Sequence, residues 1–108
     1  MNAKLKNQIL KACLEIKARK NKLQGSSGIC CALFEIVSDY TGTCDDSDYY
    51  HICNLVHYVS TQMFGESEYS PFISVKYRWT PRRTKVLDRL IEILSSKDWK
   101  KTAKLAGE

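Results

Sequence analysis

Only one stretch of this chain alternates apolar and polar residues as a β-strand does: Ile73, Val75, Tyr77 and Trp79 interleave with Ser74, Lys76 and Arg78. A lone strand cannot satisfy its own backbone hydrogen bonds, so the chain has no sheet of its own to build on. The segment must therefore be irregular, pair with a short loop or pair with another chain, and the favoured expectation is an irregular extended arm at about residues 66–79 that lies across the helices. Everything else reads at helical period, and the expected fold class is all-α. A chain of 108 residues has room for one hydrophobic core, so a single helical domain over 1–108 is expected.

Leu5, Ile9, Ala12, Cys13 and Ile16 share one helical face, with Lys4, Gln8, Lys11, Glu15, Arg19 and Lys22 on the opposite one. Gly25-Ser26-Ser27-Gly28 breaks the chain and supplies a capping serine. A second helix follows from about Ile29 to Tyr40, its stripe made by Ile29, Leu33, Ile36, Val37 and Tyr40 with Ala32 and Phe34 widening it. A third runs from near Asp46 to Met63 or Phe64, with Ile52, Leu55, Val56, Val59 and Met63 inward and Tyr49, Tyr50 and Tyr58 broadening the face. Thr80-Pro81 marks the start of a fourth, since a capping hydroxyl before a first-turn proline suits a helix N-terminus. Val86, Leu87, Leu90, Ile91 and Leu94 give its buried side. A short basic segment carries Trp99, Ala103 and Ala106 on one face. The prediction is four main helices plus a short C-terminal one.

Charge is distributed unevenly over these elements. Residues 24–75 contain no lysine or arginine and seven acids, whereas residues 1–23 and 76–108 each carry a formal +6, for a net +5. Part of the gap is apolar core. The rest gathers at the start of the third helix, in Asp45, Asp46 and Asp48, while Lys76, Arg78, Arg82, Arg83 and Lys85 gather around the start of the fourth. Cations there oppose the positive end of the helix dipole, so an anion is expected nearby. It is either one of the chain's own acids, within a subunit or between two, or a phosphate bound by Lys76, Arg78, Arg82 and Arg83 with Tyr77 and Trp79 stacking on a base. Nucleic-acid binding is open too if the first and last helices form one basic face and the acidic middle folds away from it.

Five cysteines and no apolar leader point to reduced thiols and a cytoplasmic location, with Cys30 and Cys53 expected as packed core residues and His57 as partly buried. Cys53 and His57 stand four apart and could share a metal with Cys30, Cys31 or Cys44, but the paired short spacings of structural zinc sites are missing and no cofactor is expected. No nucleophile motif, glycine-rich phosphate loop or paired-carboxylate signature accompanies His51, so the chain reads as a non-enzyme. No apolar run approaches the ~18 residues that cross a bilayer.

Gly28-Ile29-Cys30 opening a buried helix, Pro71 before an aromatic arm with Tyr77 and Trp79, and Arg83 leading into Leu87, Leu90 and Ile91 resemble a pattern of small helical bacteriophage proteins, over about residues 28–94. The resemblance implies a protein of the infected host cytoplasm that acts by binding. The leading expectation is a non-enzymatic, homo-oligomeric accessory protein that counters host defence by holding an anionic ligand such as a signalling nucleotide. The alternatives are an inhibitor that docks on a host defence protein and a nucleic-acid binder.

Overall fold

The computed structural model describes residues 1–19, 29–42, 46–65 and 81–107, and among these the only regular elements are helices. They are α1 (Ala3–Ala18), α2 (Ile29–Thr41), α3 (Asp46–Phe64), α4 (Pro81–Ser95) and α5 (Trp99–Ala106). The extended arm expected at 66–79, the Gly25–Gly28 break and the Thr80 cap lie outside the described residues.

Local chemistry explains the boundaries. The Asn2 side chain accepts a hydrogen bond from the Leu5 amide at 2.8 Å and so caps the first turn of α1. Gly42 and Gly65 end α2 and α3 with φ of 72° and 71°, and each returns its amide to the carbonyl four residues back, Ser38 and Thr61. That left-handed cap suits glycine because a Cβ would crowd the following carbonyl.

The helices pack in a ring: α1 on α2, α2 on α3, α3 on α4, and α4 back on α1, with α5 laid against α3 and α4. Leu5, Ile9, Ala12, Cys13 and Ile16 from α1, Ile29, Leu33 and Val37 from α2, Ile52, Leu55, Val56 and Val59 from α3, and Val86, Leu87, Leu90 and Leu94 from α4 form one core. α4 runs back along α1, because Lys17 meets Asp88 at 2.9 Å while Lys6 lies 5.4 Å over the ring of Trp99.

Four expected core positions turn out otherwise. Tyr50 is 60% exposed and Tyr49 is also on the surface. At about 100° per residue Tyr50 stands about 160° from Ile52, on the far side of the helix from the stripe. Met63 keeps the angular position of the stripe but, in the last turn, lines a surface groove with Gln62, Arg89 and Ile93. On α4 it is Ile93, one heptad after Val86, that is buried, and Ile91 is only partly so.

One polar network ties α1 to α2. The Tyr40 hydroxyl donates to the Glu15 carboxylate, Arg19 donates to the same carboxylate at 2.7 Å, and Lys11 lies 4.5 Å over the Tyr40 ring. The Tyr40 hydrogen bond chiefly holds the Glu15 carboxyl below its ordinary 4.5, partial burial opposing it and Arg19 assisting. Burial first, then the bond to Glu15, pushes Tyr40 up to about 12. A lowered folded-state carboxyl stabilises above its ordinary value and loses that contribution as pH falls through the folded one. A raised tyrosine contributes fully below 10 and loses its contribution between 10 and about 12. Tyr40→Phe is expected to cost about 1 kcal/mol at neutral pH, held to that by water access to Glu15. It should also shallow, in a urea-unfolding series against pH, both the acid and the alkaline fall in stability. Unaltered limbs would mean that the hydroxyl bond is not formed in solution.

Candidate anion-binding face

The ring order converts the charge pattern of the sequence into a pattern in space. α2 and α3 hold Glu35, Asp39, Asp46 and Asp48 with no lysine or arginine, and they pack on each other as one edge of the ring. The opposite edge is α1 with α4, and it carries Lys4, Lys6, Lys11, Lys17, Arg19, Lys85 and Arg89. α5 adds Lys100, Lys101 and Lys104, preceded by Lys97.

Trp99 joins the two basic elements. It is 9% exposed at the start of α5, with the Lys6 ammonium 5.4 Å and the Lys100 ammonium 5.7 Å from its ring centroid. Such contacts are worth about 0.5–1 kcal/mol each at exposed sites and hold two cations on one side of the molecule. Acids neutralise some of the neighbouring charge: Lys17 pairs with Asp88, Arg19 with Glu15 and Arg89 with Glu92. Among the described residues no carboxylate pairs with Lys4, Lys6, Lys97, Lys100, Lys101 or Lys104.

The residues singled out in the sequence fare differently. Lys76, Tyr77, Arg78 and Trp79 lie outside the described residues. Arg82 belongs to the first turn of α4 by its backbone, and its side chain is likewise outside them. Arg83, expected to present its charge to a ligand, is instead turned inward and 2% exposed, and it is not without a partner there. Its position explains this, since it stands three and four residues before Val86 and Leu87 on the buried stripe of α4. Of the cations that do face water, Lys6 and Lys100 are marked in the sequence only by their spacing from the apolar stripes.

The thiols belong to the packing. Burial pushes Cys13 up to about 12, which leaves it a neutral, unreactive thiol at ordinary pH. Cys30 is in the core, whereas Cys53 is half-buried rather than fully packed. Where α2 crosses α3, the rings of Phe34 and Tyr49 meet edge-on at 4.9 Å. The hydrogen bond of the Tyr49 hydroxyl with Cys53 raises that tyrosine to about 12, ahead of the charge interaction with Cys53 and burial. His57 is exposed, not partly buried, one turn from Cys53. Among the described residues no three histidine, cysteine or acidic side chains gather as a metal site would require.

No described helix is long and apolar enough to cross a membrane. No known family model, curated protein or solved structure matches this chain.

Proposed function

We propose that the protein is a non-enzymatic binding protein that holds a phosphate-bearing ligand of the nucleotide class on the side formed by α1, α4 and α5. The observation that carries this reading is the separation of charge. The described helices of the cation-free stretch, α2 and α3, form one edge of the ring, so an anion approaching the α1–α4 edge and α5 meets lysines that no carboxylate pairs among the described residues, the acids of those helices, Glu15, Asp88 and Glu92, being engaged with Arg19, Lys17 and Arg89. The resemblance to small phage proteins supplies the biological setting, in which holding a signalling nucleotide would counter host defence.

Titration of the labelled protein with pyrophosphate, followed by amide chemical shifts, tests the reading. Shifts should cluster on α1, α4 and α5 and on the part of α3 that faces α5. Shifts confined to α2, or none at millimolar ligand, would overturn it.

A nucleic-acid reading draws on the same face, because its lysines are spread over three helices rather than gathered at one point. It predicts that affinity for a single-stranded oligonucleotide rises with length beyond a few nucleotides. Equal affinity for mono- and oligonucleotides would remove it.

A further inference from the structure

We infer that a groove between α3 and α5 is the seat of the ligand, and that it takes a small nucleotide, one base with its phosphates, rather than a polymer. This rests on the anion-binding reading above and adds to it a place and a ligand class. The groove is about 570 Å³, within the range of about 300–1,000 Å³ that small-ligand clefts occupy.

Helical spacing makes its two walls. On α5 and its C-cap, Lys100 stands three and four residues before Ala103 and Lys104, and Gly107 four and three residues after them, so the four form a single face. Lys100 and Lys104 are one helical turn apart, a spacing from which two flexible lysines can reach one phosphate together or two consecutive ones. Ala103 and Gly107 keep the wall low between and beside them. On α3, Tyr50, His51 and Asn54 face the groove. Tyr50 is 60% exposed and its ring stands edge-on to His51, with centroids 6.5 Å apart and planes at 67°. An exposed aromatic in that position offers a stacking surface for a base, and the Asn54 amide supplies both a donor and an acceptor for a base edge.

Two features favour this groove over others. No carboxylate lines it among the described residues, although α3 belongs to the acidic edge. The groove between α3 and α4, by contrast, is about 140 Å³ and its one cation, Arg89, is already paired with Glu92 at 2.7 Å. Trp99 also anchors the basic wall, since its buried ring holds the first turn of α5 in place beneath Lys100.

Calorimetric titration of the full chain with ADP, pyrophosphate and adenosine in parallel tests the proposal. ADP should bind at least about 10-fold more tightly than either fragment, because stacking and charge act together. Tyr50→Ala should weaken ADP by about 10-fold and leave pyrophosphate unchanged, and Lys100→Ala with Lys104→Ala should weaken both ADP and pyrophosphate by about 10-fold or more. All three side chains are on the surface, and a thermal melt confirms that the variants fold. Pyrophosphate binding that survives loss of both lysines while ADP gains nothing over it would overturn the groove and spare the basic-face reading. Failure of every phosphate compound to bind would overturn both.

Discussion

Arg83→Glu is expected to lower stability by about 3 kcal/mol or more, enough to unfold a chain of this size near its working temperature. The side chain is 2% exposed, at the head of the stripe that continues through Val86, Leu87, Leu90 and Leu94. Reversal removes the interaction that the guanidinium makes there and leaves a carboxylate buried away from solvent in its place. Arg83→Leu should cost less, because it extends the apolar stripe even as it abandons the partner. Urea unfolding followed by circular dichroism ranks the two. An Arg83→Glu midpoint equal to that of the parent would place the side chain in solvent. The practical consequence is that a charge reversal including Arg83 tests folding before it tests binding.

The second large effect belongs to the surface. Lys4→Glu, Lys6→Glu, Lys97→Glu and Lys101→Glu together leave both walls of the α3–α5 groove intact but reverse the field around it. At low ionic strength the association rate for ADP is expected to fall by about 10- to 1,000-fold, with a smaller change in dissociation. Stability should fall by no more than about 1 kcal/mol, from the loss of the Lys6 contact with Trp99. Stopped-flow mixing at two salt concentrations separates the outcomes, and high salt should bring parent and variant together. A rate unaffected at low salt would show that those lysines do not steer the ligand. Asp39→Lys, on the opposite edge, is the control and should change little.

Much of the architecture was legible because its determinants are local. Glycine at the ends of α2 and α3 and apolar residues at helical steps lie within a few residues of what they govern. The buried positions of α1 follow directly from its sequence, since a polar face leaves no other choice. α3 is harder to read, for its aromatics run round the helix: Tyr50 looks like core by composition and lies on the far side by angle. Arg83 is the converse case, in which residue type suggested the surface and spacing pointed inside. The groove was not legible at all. Its walls come from elements about fifty residues apart, and nothing in either stretch alone says that Tyr50 and Lys104 face the same space. The segment holding Lys76, Tyr77, Arg78 and Trp79 falls outside the described residues, so the site expected there remains an expectation.

If separation of charge across the helix ring makes one side of this protein a binding face for anions, lysine–phosphate contacts should dominate the affinity. The most direct test is the affinity for pyrophosphate measured calorimetrically as sodium chloride is raised from about 50 to 200 mM, a range over which contacts between lysine and phosphate weaken markedly. Measurable binding is expected at the low end, with a steep, linear fall of log affinity with log salt. Binding that is absent at the low end, or that persists undiminished across the range, would contradict it.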